Sequence, residues 1–292
     1  MLNYFLYKLG QKLSIILPLK ISYKIAVFLA DLHRLFSPGD RAAVKDNLKI
    51  IFPEANDRTI EVYLRDTFRN FAKYLIDFLR FELIDKNYIN KNISTINFDI
   101  VDQALSGSKG VIIVSAHIAN WELAGIAMAI LGYPIACVAL SHRNKAINDF
   151  FIKQRQLKGL EVIPLGRAAF GCLQTLKKNK LLALVGDRDF TQAGITIDFF
   201  GVPTLIPKGP VAFSFKTGAP ILVGIMIRGK DDKFQFIYEG PVEIERSNDL
   251  EKDMKILTEK YARILERYIK DYPGQWLMFR RFWEPVGKNS CE

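Results

Sequence analysis

Cysteine is scarce: three residues in 292, at positions 137, 172 and 291. An odd count without metal-ligand spacing excludes a disulfide framework and places the bulk of the chain in a reducing compartment. Histidine is equally sparse (His33, His117, His142), and with such scattered cysteines it assembles no familiar zinc site. No metal is expected. Neither the Gly-x-Gly-x-x-Gly fingerprint nor the P-loop pattern occurs, which removes the classical nucleotide-binding classes. The Gly-x-Ser-x-Gly elbow is missing too, and Ser108 in Gly107-Ser-Lys-Gly110 lacks its frame, so a serine hydrolase or thioesterase is disfavoured. No internal repeat, low-complexity tract or Pro/Gly/Ser-rich linker divides the chain. Long apolar runs are lacking as well. Lys8, Lys12, Pro18, Lys20 and Lys24 punctuate the first 36 residues, so no stretch reaches the roughly eighteen uncharged residues of a clean transmembrane helix. The order of a secretory signal is absent.

What is present is an ordinary globular composition, 49% apolar and 25% charged, with a formal net charge of +10 and 12% aromatics, Phe well ahead of Tyr and Trp. A basic surface attracts nucleic acid, anionic headgroups or an acidic protein, and the charge total does not choose among them. Its company with Phe, Leu and Ile favours a membrane surface. Within residues 1–40 lysines recur about every four residues with apolar residues between them. That pattern describes a basic amphipathic segment lying in the interface; the alternative is a soluble helical pair capping the domain.

Residues 41–50 and 57–82 carry helical periodicity. In the second, Ile60, Tyr63, Leu64, Phe68, Phe71, Leu75 and Phe78 fall at three- and four-residue intervals after a start at Asn56-Asp57. Short apolar runs then appear at 111–114, 135–138, 181–185 and 221–227, of the kind buried on both faces of a sheet. Helical stretches at 120–131, 145–157, 168–178 and 208–217 alternate with them, strands near 195–200 and 233–239 follow, and an amphipathic helix spans 249–270. The alternation predicts an α/β fold with a mixed, largely parallel central sheet flanked by helices, preceded by an N-terminal helical extension. Ligands in such folds sit at the carboxyl ends of the strands.

The run from Gly110 to His117 reads as a buried strand delivering a histidine to its carboxyl end. Asn120 is a good N-cap, which puts Glu122 in the first helical turn. A histidine before the cap and a carboxylate one turn in can meet across the strand-to-helix corner. Such a pair suits deprotonation of a hydroxyl, because imidazole takes the proton and a carboxylate on its other nitrogen fixes the tautomer and stabilises the imidazolium. The adjoining helix N-terminus offers N–H groups to a developing oxyanion. The spacing alone is a weak pattern: first-turn glutamates complement the helix dipole, and loop histidines are more often structural.

The segment Ser115-Ala-His-Ile-Ala-Asn-Trp-Glu-Leu123 resembles the His-x4-Asp/Glu box of the bacterial lipid A late acyltransferases, which with the mycobacterial mannoside acyltransferases form one family among the lysophospholipid acyltransferases. Further matches follow in order: Ser141-His-Arg-Asn144, Arg155, Leu184-Val-Gly-Asp-Arg-Asp189, Asp198-Phe-Phe-Gly201, Pro207-Lys-Gly-Pro210, Thr217-Gly-Ala-Pro220, and Tyr272-Pro-Gly-Gln-Trp276 through Arg280-Arg-Phe-Trp283. The resemblance covers the chain from about residue 40 to its end. It implies a glycerol-3-phosphate acyltransferase-like fold, with a membrane-associated helical segment at 1–40 and an acyltransferase domain at 41–292. It implies transfer of a fatty acyl chain from an acyl thioester of acyl carrier protein or coenzyme A to a hydroxyl of a membrane glycolipid. A lipid A precursor is the commonest acceptor, with another glycolipid or a lysophospholipid as the alternative. His117 and Glu122 become the catalytic pair, and Arg143, Arg155, Asp187 and Arg188 substrate-binding residues. The thioester is a co-substrate, and no cofactor is expected. The resemblance also implies the cytoplasmic face of the bacterial inner membrane, peripheral or single-pass, and no nucleic acid, while the basic charge favours the acidic acyl carrier protein as donor partner.

Guanidinium forks suit phosphate groups, while a solvated basic face is the plain alternative for Arg143, Arg155, Arg188 and Arg167. Asp187 has three candidate roles: acceptor for a sugar hydroxyl, partner of His117, or clamp on an arginine. Asp198 reads equally as structural. The aromatic cluster Trp276, Phe279, Phe282 and Trp283, interleaved with Arg280 and Arg281, suits an interfacial belt better than single-stranded nucleic acid. A basic membrane or nucleic-acid binding protein without catalysis is the competing reading from another class, and steep salt dependence of tight nucleic-acid binding would mark it.

Overall fold

The computed structural model describes residues 2–189 and 192–283; residues 284–292, with Cys291 and the end of the second expected segment, lie outside the described residues. The chain opens with four helices: α1 (Leu2–Ile16), α2 (Leu19–Phe36), α3 (Pro38–Ile51) and α4 (Asp57–Leu79). Proline explains two of the breaks. Pro18 separates α1 from α2, and Pro38 occupies the first turn of α3, where its missing N–H has no intrahelical acceptor to lose. Asn56 caps α4 by accepting the N–H of Thr59 at 2.9 Å. The predicted face of α4 buries Ile60, Leu64 and Phe68 against Val44 and Leu48 of α3 and Ala30 of α2. A two-pronged ion pair from Arg69 to Asp31 ties α2 to α4 as well.

The α/β part follows: α5 (Lys86–Asn92), β1 (Ile93–Ile96), α6 (Asp99–Ser106), β2 (Val111–Ser115), α7 (Trp121–Ile130), β3 (Ile135–Ala139), α8 (Lys145–Gln156), β4 (Glu161–Pro164), α9 (Ala168–Lys177), β5 (Leu181–Val185), β6 (Ile195–Phe199), β7 (Val202–Ile206), α10 (Gly209–Thr217), β8 (Ile221–Arg228), β9 (Phe234–Glu239) and α11 (Leu250–Asp271). Seven strands form one sheet in the order β1-β9-β8-β2-β5-β3-β4, antiparallel only between β8 and β9. This is the predicted mixed, largely parallel sheet. β8, apolar along nearly its whole length, is buried at all eight residues, as a central strand covered on both faces requires.

The two faces of β2 separate two cores. Ile112 and Val114 pack with Cys172, Leu176, Val211, Tyr261 and Leu265 under α9, α10 and α11. Val111 and Ile113 pack with Phe78, Leu123, Ile126 and Phe151 under α4, α7 and α8. The prediction changes in several places, and α5, α6 and β7 are additions to it. β1 and β4 were not expected: they are four-residue edge strands without the buried apolar run that marks an inner strand. The strand near 195–200 pairs with β7 in a separate antiparallel hairpin instead of joining the sheet.

Among the described residues no helix is long and apolar enough to cross a membrane, so the single-pass option has no helix to carry it there. The N-terminal helices nevertheless turn large apolar side chains outward. Phe5, Leu6, Leu13 and Ile16 of α1 and Phe28, Leu29, Leu35 and Phe36 of α2 are all exposed.

Candidate active site

Parallel strands β2 and β5 run in register, Ser115 beside Val185. Two residues past each partner lie His117 and Asp187, so the sheet itself brings them together. Gly186 makes the approach possible, since a Cβ there would stand 2.6 Å from Val114 Cγ1. Its N–H donates to the carbonyl of Ser115 at 2.7 Å, continuing the ladder one step beyond the strands.

Asp187 is fully buried and accepts three hydrogen bonds: from His117 Nδ1 at 2.7 Å, from the His117 backbone N–H at 3.0 Å and from Trp276 Nε1 at 3.0 Å. Burial alone would raise the Asp187 pKa, but the His117 charge and these donors outweigh it and hold the carboxyl below the usual carboxylate range. A carboxylate on Nδ1 places the imidazole proton there and leaves Nε2 with its lone pair, the tautomer a general base needs. The ring rests edge-on against Trp121, and Trp121 stacks on Tyr74. Backbone pairing fixes the loop itself: Ala119 N–H donates to Gln275 O at 2.7 Å, and Leu277 N–H to His117 O at 2.8 Å. Ala119 sits at φ +50°, a left-handed conformation that alanine rarely adopts without such partners.

The expected partner is therefore displaced. Glu122 does not hold His117; it forms a two-pronged ion pair with Arg155 on α8, Nε to Oε2 at 2.9 Å and Nη2 to Oε1 at 2.5 Å. Both side chains are nearly buried, 8% and 13% exposed, and the guanidinium lies near the Phe78 and Phe151 rings. The helix explains it. Asn120 spends its side-chain oxygen on the cap, accepting Leu123 N–H at 3.0 Å, and the first turn then aims Glu122 into the layer between sheet and α8. Arg155, expected at a phosphate, is committed to Glu122. The same carboxylate and, above all, burial push the Cys137 thiol up to about 12, so it is no nucleophile at neutral pH.

Above His117 opens a cleft of about 930 Å³ between α2, α4 and the segment 277–280. Its walls are largely apolar (Leu29, Phe68, Phe71, Leu75, Phe279), and Arg188 lines it together with His117. Arg143 is exposed in the loop between β3 and α8, outside this cleft lining, and Arg167 is exposed ahead of α9. Asp198 accepts Gly201 N–H at 2.9 Å and faces Arg263, a turn-forming role in the β6–β7 hairpin.

The C-terminal aromatics do not form the predicted belt. Trp276 and Phe282 are buried, and Trp283 packs on both while donating its indole N–H to Thr204 Oγ1 at 3.0 Å. The contact of Trp276 with Asp187 was not foreseen. Its one sequence signal is that a buried indole N–H needs an acceptor, and a second acidic candidate at a neighbouring strand end could supply it.

Residues 1–284 match the family described as bacterial lipid A biosynthesis acyltransferase. The chain is 27% identical over 225 residues to a phosphatidylinositol mannoside acyltransferase of Mycolicibacterium smegmatis, covering 75% of this chain and 72% of that protein. It is 23% identical over 279 residues to the lipid A biosynthesis palmitoleoyltransferase of Escherichia coli, covering 93% and 89%. A lipid A biosynthesis acyltransferase of Haemophilus influenzae is 19% identical over 88% of this chain and 79% of its own length. With a histidine–carboxylate pair whose histidine lines an apolar cleft and a family match along nearly its whole length, the chain belongs to the bacterial lipid A biosynthesis acyltransferase family and is an O-acyltransferase of it.

Proposed function

We propose that the enzyme moves a fatty acyl chain from a thioester of acyl carrier protein or coenzyme A onto a sugar hydroxyl of a membrane glycolipid, with His117 as general base and Asp187 as its support. The observation that carries this is the hydrogen-bonded pair His117–Asp187, whose histidine lines the apolar cleft. Nε2 takes the proton of the acceptor hydroxyl as the oxygen attacks the thioester carbonyl. The tetrahedral intermediate collapses with cleavage of the C–S bond, and the imidazolium returns the proton to the departing thiolate. Asp187 stabilises the cation between these steps and keeps the tautomer correct for the next turnover. No acyl-enzyme is needed, because the nucleophile belongs to the acceptor. The N-terminus of α7 begins at Trp121, four residues beyond His117, and brings a positive dipole end close to the base.

The outward apolar side chains of α1 and α2, interrupted by lysines, fit a peripheral seat on an anionic membrane surface, the cytoplasmic face of the inner membrane. The net charge of +10 fits an acidic carrier protein as donor. The test is acyl transfer by purified protein in detergent. Each donor is combined with a phosphatidylinositol mannoside or an under-acylated lipid A precursor, and products are read by mass spectrometry. One acyl chain gained by one glycolipid, with a thiol released, is expected and identifies the acceptor. Failure of every donor–acceptor pair, with donor turned over only to free fatty acid, would refute the proposal.

A further inference from the structure

Behind the His117 loop lies a buried charged network on which the reaction as described makes no demand. Asp77 of α4 and Arg228 at the end of β8 form an ion pair with side chains only 1% and 5% exposed. Tyr23 of α2 donates its hydroxyl to Asp77 Oδ1 and accepts from Arg228 Nη1 at 3.0 Å. The guanidinium lies over the rings of Phe234 and Tyr23, 4.5 and 5.2 Å from their centroids.

Both members of the pair reach the reactive loop. Asn120 Nδ2 donates to Asp77 Oδ2 at 2.8 Å while its Oδ1 caps α7. On the other side, the Gln275 side chain accepts the Arg228 backbone N–H at 2.9 Å and donates to the Arg228 carbonyl at 2.8 Å. The Gln275 carbonyl in turn accepts from Ala119 N–H. The loop with its left-handed alanine is therefore clamped between a carboxylate of α4 and a strap anchored on Arg228. A buried ion pair adds little net stability compared with apolar packing of the same volume, whereas it does fix one geometry when every partner is satisfied. Here the geometry fixed is that of His117, and the outermost member of the network sits on the helix whose other face carries the exposed apolar side chains.

We infer that Asp77 is a positioning residue for the acyl transfer, acting through Asn120 on the His117 loop, and that Tyr23 makes α2 part of that support. The seating of helix α2 on α4 then sets the placement of the base. This rests on the reading of His117 as the base. A misplacement of about 1 Å at a catalytic group costs up to roughly 10² in rate, so partial loosening of one anchor should cost about tenfold.

The test uses the full chain in detergent with Tyr23→Phe, Asn120→Ser and His117→Ala. Tyr23→Phe removes one hydroxyl and leaves the ion pair; Asn120→Ser keeps a capping oxygen for α7 but is too short to reach Asp77. The expected result is that kcat falls about tenfold in each with KM for the donor within about twofold. Amide hydrogen exchange at residues 117–120 should quicken, with both proteins folded well above the assay temperature. Parental kcat in the folded variants, whatever happens to Tm or KM, overturns the inference. If Tyr23→Phe does not fold, Asn120→Ser decides alone. His117→Ala separates the two claims: activity surviving there defeats the base assignment, whereas an inactive His117→Ala beside parental Tyr23→Phe and Asn120→Ser defeats only the positioning role.

Discussion

Replacing Asp187 by Asn and Glu122 by Gln should harm this enzyme in opposite ways. Asp187→Asn keeps the volume and one acceptor oxygen, but that oxygen cannot serve His117 Nδ1–H, His117 N–H and Trp276 Nε1–H as the two carboxylate oxygens do. If the amide turns its NH₂ toward Nδ1, the ring adopts the other tautomer and Nε2 carries the proton, so it is no longer a base. Loss of the correct tautomer is worth about 10³–10⁴ in kcat in histidine–aspartate systems. Glu122→Gln leaves the His117–Asp187 contacts untouched but strips Arg155, 13% exposed, of its counter-charge. Breaking a nearly buried pair from one side costs about 3–5 kcal/mol, a fall in Tm on the order of 10 °C for a chain of this size. The assays are thioester turnover at a temperature where both variants are folded, and thermal unfolding by circular dichroism. Asp187→Asn should be nearly inactive with a modest Tm change; Glu122→Gln should be clearly destabilised while keeping kcat within about tenfold of the parent. A folded Glu122→Gln as inactive as Asp187→Asn, or an active Asp187→Asn, would refute the assignment.

Three further predictions concern charge and surface. Because Asp187 titrates below an ordinary carboxyl in the folded protein, its share of the stability is present above about pH 4 and is lost as pH falls through the depressed native value. Asp187→Asn should flatten the acid decline of Tm relative to the parent, and identical declines would show that the contact contributes nothing there. Phe28→Asp with Leu35→Asp removes two of the most exposed apolar side chains of α2, each worth about 1.5–3 kcal/mol if buried in lipid. Partitioning onto anionic vesicles should drop by about 10², measured by co-sedimentation; unchanged partitioning would put the membrane contact elsewhere. With acyl carrier protein as donor, raising the salt well beyond about 0.1 M, where the Debye length is about 10 Å, should lower kcat/KM several-fold. A salt-independent rate would remove electrostatic docking from the account.

His117 and the sheet that carries it were legible because a buried β-branched run and an N-cap are local signals. Its partner was legible only as one of three roles open to Asp187, because the pairing depends on strand order. Only when β5 is known to lie beside β2 does Asp187, seventy residues away in the chain, fall opposite His117. Glu122 drew the eye through nearness in sequence, yet the first helical turn points it to Arg155. The C-terminal aromatics misled for a similar reason. Interleaved Arg and Trp look the same whether the rings face lipid or, as Trp276 does, a buried carboxylate. The edge strands β1 and β4 and the network around Asp77 carry no periodic signature at all, since a single buried acid within an amphipathic helix changes little in its pattern.

The central claim, that His117 deprotonates the acceptor hydroxyl, is tested most directly by the single-turnover rate of acyl transfer in His117→Ala with donor and acceptor both saturating. A loss of about 10²–10⁴ against the parent is expected, with the protein still folded. Transfer near the parental rate would contradict it.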